Sequence, residues 1–136
     1  MKEIFVEIIT PSKSVYKGQI KSITIPGTLG NFQVLYNHAP LLSTFEIGKI
    51  KLNDLNDHVI EYATSGGTIE VNNNKILVLA DSAETLEEID IERAKKAMER
   101  AKERLGIRGK GDIDIMRAEF ALLRAINRMK FVNTVF

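Results

Sequence analysis

Cysteine is absent from this 136-residue chain. That absence excludes disulfides, thiolate zinc sites and thiol catalysis, and it suits a reducing compartment. Long apolar runs are also missing, since none approaches the roughly 20 residues needed to span a bilayer. Charge of one sign is missing as well. There are 19 Lys and Arg against 18 Asp and Glu, a formal net charge of +1. No bulk field therefore favours nucleic acid or an anionic membrane. The opening MKEIFVEIITP sets Glu3 and Glu7 among apolar residues, an alternating strand pattern rather than a signal peptide. These absences lead us to expect a soluble chain of one or two small domains, held at a membrane only through partners.

What is present falls into two parts with different periods. Ile4, Val6 and Ile8 share one face of Ile4–Thr10, and Phe5, Glu7 and Ile9 the other. Further short runs follow at Ser14–Ile20, Lys21–Ile25, Phe32–Leu35, Leu41–Glu46, Lys49–Leu52, Val59–Thr64, Thr68–Val71 and Ile76–Leu79. Pro26-Gly27, Gly30-Asn31, Asn53-Asp54, Asn56-Asp57, Gly66-Gly67 and Asn72-Asn73-Asn74 punctuate them as turns. After Ala83 the period lengthens. Ile91, Ala94, Met98, Ala101 and Leu105 mark a helical seam, and Gly106, Gly109 and Gly111 mark a turn. A second helix is expected from about Asp112 to Phe131, with Ile115, Met116, Ala118, Phe120, Leu122, Leu123 and Ile126 in its seam. The pattern predicts an α+β chain: an N-terminal antiparallel β-sandwich over residues 1–84, then a C-terminal α-helical hairpin over 85–136.

Catalytic constellations are lacking. Pro26–Asn31 holds two glycines without the Gly-Lys-Ser/Thr of a P-loop. His38 precedes Ala39-Pro40, His58 lies in a polar turn, and the pair lacks the i, i+4 spacing of a helical zinc site. Thr64–Gly67 has no nucleophile-elbow spacing. Asp81 and Glu84 lie at the junction without an acid–base partner. No metal site and no catalytic residue is expected, and the chain is not expected to be an enzyme.

The arginines carry the functional signal. Arg93, Arg100 and Arg104 share one helix face, and Arg117, Arg124 and Arg128 repeat their spacing on the second helix. Glu92, Glu99, Glu103 and Glu119 balance them, as on an ordinary solvated face. Yet Asp90 reads as an N-cap, and Arg93 occupies the third position after it, where a capping box would place Glu or Gln. A cation at the positive helix end breaks a local rule, and a folded-back hairpin could gather such cations for a polyphosphate. The same start recurs at Ile113–Ala118, which weakens the motif taken alone. The arginines also fit a stand-alone nucleotide-sensing or nucleic-acid-binding module, although interleaved glutamates speak against nucleic acid.

Taken over essentially its whole length, the chain resembles the epsilon subunit of bacterial rotary F-type ATP synthase. The resemblance rests on IPGTLGNFQVLYNHAPLLSTFEIGKI (Ile25–Ile50), on ATSGGTIEVNNNKILVLADSAE (Ala63–Glu84), and on the helices IDIERAKKAMERAKERL and AEFALLRAINRMK. It implies a non-catalytic central-stalk rotor subunit that couples proton or sodium flow to ATP synthesis. Its sandwich would dock on the gamma subunit and the membrane c-ring. Its hairpin would either lie compactly on the sandwich or extend along gamma into the alpha/beta catalytic head, and the extended form would inhibit ATP hydrolysis. The complex would hold it peripherally on the cytoplasmic side of the bacterial cell membrane. No cofactor is required, but some members of the family bind regulatory ATP through an Ile/Leu-Asp-x-x-Arg-Ala motif. Ile89, Asp90, Arg93 and Ala94 match that motif, and Glu84, Arg100, Arg124 and Arg128 match its supporting positions.

Overall fold

A computed structural model describes residues 3–89, 91–106 and 112–135. The chain divides into two compact units, 1–85 and 86–136. The first contains β1 (Ile4–Ile9), β2 (Ser14–Gly27), β3 (Gly30–Val34), β4 (Leu41–Phe45), β5 (Gly48–Asp54), β6 (Val59–Thr64), β7 (Gly67–Asn72), β8 (Lys75–Ala80) and β9 (Ala83–Glu84). The second contains a single 3-10 turn (Leu86–Glu88), α1 (Ile91–Gly106) and α2 (Asp112–Val135).

The strand unit is a β-sandwich, in which the order β1-β8-β7-β4-β2-β5-β6-β9 is completed by β3 on β2 and by a second pairing of β1 with β2. Alternation determines which side chains turn inward. Ile4, Val6 and Ile8 of β1 are buried beside Ile76 and Val78 of β8 and Ile69 and Val71 of β7. Ile23, Ile25, Ile50 and Leu52 contribute from β2 and β5. Each such aliphatic side chain contributes about 2 kcal/mol when taken from water. This core is therefore a substantial one for a unit of this size.

Two features depart from the expected antiparallel arrangement. β1 and β8 run parallel, in the register Phe5↔Lys75 to Ile9↔Leu79. The two runs expected at Ser14–Ile20 and Lys21–Ile25 form one continuous strand. Its first half pairs with β1 and its second half with β3 and β5, so one strand serves both layers. Alternation slips within β2, where Ser22 and Ile23 are both buried, and the pairing with β5 is irregular between Ile20 and Ser22. A bulge there lets the strand change layers without ending. The short β9, not expected from the sequence, pairs Glu84 with Ala63.

Turn chemistry matches backbone conformation. Asn73 and Asn74 have φ of 50° and 59° between β7 and β8. Two successive positive values define the type I′ turn that suits the twist of a two-residue hairpin. Asp57, at φ 61°, closes the β5–β6 connection, where its amide donates to the Asp54 carbonyl at 3.2 Å. At Gly67 a side chain is excluded by crowding. A Cβ would collide with the Leu79 carbonyl oxygen and lie 2.9 Å from Ala80 Cα.

In the helical unit, α1 and α2 pack together along small residues. Ala94, Ala101, Ala118 and Ala125 are all under 5% exposed, and Phe131 is buried near the end of α2. Phe120 and Leu123, expected in the second seam, are instead 51% exposed. The α2 sequence is apolar on more than one face, so spacing alone did not determine which face meets α1. Closely approaching alanines won, because they allow the helix backbones nearer contact. The expected glycine turn at Gly109 and Gly111, and the side chains of Ile91, Leu105, Ile115 and Met116, lie outside the described residues, while Gly106 is the last residue of α1.

Candidate functional site

Each buried alanine of the helical seam follows an arginine: Arg93-Ala94, Arg100-Ala101, Arg117-Ala118 and Arg124-Ala125. All four arginines are exposed while all four alanines are buried. A residue one step before the seam lies about 100° around the helix, on its flank. Helices joined by so short a connection run antiparallel, and a local two-fold then relates them. That operation places matching flanks on the same face of the hairpin. The arginine stripes therefore share one face, with cationic forks suited to bidentate contact with phosphate oxygens.

This geometry also accounts for the repeated motif. In both copies the Arg-Ala pair marks where flank meets seam, a packing role that does not depend on an anion. Ile89, which opens the first copy, is buried at 7% exposure, and its amide donates to the Leu86 carbonyl at 3.4 Å. Asp90 lies outside the described residues, as do the side chains of Arg104 and Asp114. Arg128 is half-buried on α2. Glu84 belongs to the strand unit, half-buried in β9. Glu84, Arg93 and Arg128 each have an interaction partner within the chain.

Elsewhere the structure offers little reactive chemistry. His38 is half-buried, and its Nδ1 donates to the Ala39 carbonyl at 2.6 Å, which ties the ring to its own loop. The Ser65 and Ser82 hydroxyls lie 2.7 Å apart, and the Gly66 amide donates to Thr64 Oγ1 at 3.2 Å, so the Thr64–Gly67 segment is braced as a turn. Among the described residues no group of His, Asp and Glu could hold a metal ion. A cleft of about 410 Å³ on the outer face of β1, β7 and β8 is lined by Phe5, Glu7, Glu70 and Lys75 among others.

Among the described residues, two titrating groups are perturbed. The Asp54 carboxyl is held below its ordinary value, first by the His58 backbone amide donating to it, with the Asn56 amide adding to the effect. Those bonds measure 2.9 and 2.8 Å. Burial raises the Tyr16 phenol, and the Asp54 charge raises it further. Both effects organise the strand unit and have no evident reactant nearby.

Residues 3–86 match the family described as the ATP synthase, Delta/Epsilon chain, beta-sandwich domain. Residues 87–133 match the corresponding long alpha-helix domain. The chain belongs to the ATP synthase delta/epsilon family. Within that family it is 43% identical over 124 residues to an ATP synthase epsilon chain from Desulforamulus reducens, covering 91% of this chain and 92% of the relative. It is 45% identical over 131 residues to an epsilon chain from Nitratidesulfovibrio vulgaris, covering 95% of each. In fold it is similar to a chain of the Euglena gracilis mitochondrial ATP synthase assembly of OSCP, F1 and c-ring. There the TM-score is 0.82 at 22% identity, over 96% of this chain and 81% of that one. A second likeness, to a chain of the Tetrahymena thermophila mitochondrial ATP synthase central stalk and c-ring, has a TM-score of 0.66 at 13% identity. The second covers 97% of each chain. No helix among the described residues is long and apolar enough to cross a membrane.

Proposed function

We propose that the chain is the non-catalytic epsilon subunit of a bacterial rotary ATP synthase, part of its central stalk. The single observation that carries this reading is the extent of similarity to epsilon chains, above 40% identity across nine-tenths of both sequences. The β-sandwich docks on the gamma subunit and the c-ring and helps couple ion flow to ATP synthesis. The helical hairpin regulates, inhibiting ATP hydrolysis when it reaches the alpha/beta catalytic head. The subunit is held on the cytoplasmic side of the membrane through the complex.

Regulatory ATP is the ligand proposed for the helical unit. Its binding residues would be Ile89, Asp90, Arg93 and Ala94, with Glu84, Arg100, Arg124 and Arg128 in support. The arginine-bearing face supports this reading, because forked cations on one surface suit a polyphosphate. ATP that binds one arrangement of the hairpin better than another shifts the balance by that difference in affinity, and by nothing else. High ATP would hold the hairpin away from inhibition, and falling ATP would release it.

Calorimetric titration of the full chain with ATP, with and without magnesium, tests the ligand. Saturable one-to-one binding is expected. Arg93→Ala and Arg124→Ala should each weaken it by about tenfold or more, the scale of a lost charge-assisted hydrogen bond. Equal affinity in both variants and the native chain would overturn the arginine site.

A further inference from the structure

β5, β6 and β9 lie side by side, and their outward residues make a small charged field. Ile50, Leu52, Tyr62 and Ala83 belong to the core. Alternation therefore turns Lys49, Lys51, Glu61 and Glu84 to the opposite side. Register sets their spacing. Lys51 lies directly opposite Glu61, Lys49 lies opposite Ala63, and Ala63 lies opposite Glu84. Lys49 and Glu84 thus end one cross-strand row, two strand spacings or about 9.6 Å apart at Cα. Only the Ala63 methyl stands between them. Glu61 is the diagonal neighbour of Lys49, roughly 7–8 Å away. The flexible four-carbon stem of Lys49 can bring its ammonium to either carboxylate.

The structure shows which one it takes. Lys49 Nζ lies 2.6 Å from Glu61 Oε2, and that oxygen is shielded from water. The side chains are 44% and 26% exposed, respectively. A pair this open contributes little to stability. Its consequence is positional, because it commits the Lys49 charge to Glu61. Lys51, although directly opposite Glu61, remains exposed.

Glu84 is where that commitment matters. A carboxylate is repelled by a polyphosphate, so its use to a nucleotide is as an acceptor for ribose hydroxyls or a nucleobase amino group. Glu84 already has an interaction partner within the chain, but a carboxylate offers about four acceptor sites. A lysine laid over it would fill more of them with charge-assisted bonds, roughly twice as strong as the neutral ones a sugar or base can make. The nucleotide would then have to displace the lysine, and its apparent affinity would fall with the fraction of chains left open.

We propose that Glu61 is a positioning residue that keeps Lys49 from capping Glu84, so that the Glu84 carboxylate accepts from the sugar or base of a bound nucleotide. The role rests on the nucleotide reading above and adds to it a regulation by partner choice within the strand unit.

ATP titration of the full chain tests it. Glu61→Gln keeps the shape of the side chain and releases Lys49. ATP affinity should fall by about threefold to tenfold, the scale of competition by one charge-assisted bond. In the ligand-free variant the Glu84 carboxyl resonance, read by carbon NMR, should move as the ammonium arrives. Glu61→Gln combined with Lys49→Met should restore both readings, because the misplaced cation is gone. Glu61→Gln combined with Lys51→Met should restore neither. A merely structural fault at position 61 would not be repaired by removing a second side chain. Native or tighter affinity in Glu61→Gln would overturn the proposal, and so would failure of Lys49→Met to rescue it. No ATP binding by the native chain would overturn it together with the nucleotide reading, whereas failure of the proposal alone leaves native binding intact.

Discussion

At the scale of single residues, Asp54 shows how a short polar side chain organises a connection. It follows the strand register of β5 and caps the turn with two amide bonds to Oδ1, while Oδ2 lies 3.3 Å from His58 Nδ1. Because these bonds favour the ionised carboxyl, its pKa is depressed in the folded chain. A depressed carboxylate contributes stability above its unfolded pKa, and that contribution is lost as the pH falls through the folded value. Asp54→Asn should therefore melt below the native chain at neutral pH, and the gap should close as the pH drops beneath the ordinary carboxylate range. A gap independent of pH in thermal melts would refute the assignment. The turn itself was legible from Asn53-Asp54 and Asn56-Asp57, since these residue types bond their own backbone and tolerate positive φ. The bond from the Asn37 amide to Asn74 Oδ1, 2.7 Å long, was not. Each asparagine reads locally as a turn former, and nothing in either segment names the other.

At the scale of elements, the helical hairpin and the sandwich are built on different packing. Large aliphatics fill the sandwich, whereas Ala94, Ala101, Ala118 and Ala125 make the hairpin seam. An alanine methyl brings roughly 0.8 kcal/mol on burial, well below a leucine or isoleucine. The hairpin thus depends on close backbone approach, and enlarging a seam residue should separate its helices. Ala125→Leu, at a site 1% exposed, should destabilise the hairpin by about 1–3 kcal/mol. Phe120→Ala, at 51% exposure, should stay within about 0.5 kcal/mol. Helical circular dichroism during denaturation reads both, and the reverse order would mean that the seam has been placed on the wrong face. The first seam was legible because α1 has one small-residue stripe among charged residues. The second was misread at Phe120 and Leu123 because α2 is apolar around much of its circumference.

At the scale of the whole chain, two units with separate cores need not unfold together. Calorimetry of the full chain should resolve two transitions. Gly67→Ala forces a Cβ into the Leu79 carbonyl and should lower only the sandwich transition, by about 3 kcal/mol if the strands cannot move apart. Ala125→Leu should lower only the other. A single transition shifted by both substitutions would show one cooperative body. A hairpin with a weak seam of its own also suits the regulatory role proposed for it, since rearrangement then disturbs little buried area.

The sequence by itself determined the alternation that sends Ile4, Val6 and Ile8 inward, the asparagine turns, the change to helical period after Ala83, and the α1 seam through Ala94 and Ala101. These signals act within a strand, a turn or a few helical turns, so they can be read where they occur. Only the tertiary structure decided that β1 runs parallel to β8, that β2 crosses both layers as one strand, that Asn74 holds Asn37, and which face of α2 meets α1. Those choices join segments far apart in the chain. Their outcome depends on which distant surfaces pack best once the intervening chain has closed, and local propensity carries no record of that competition.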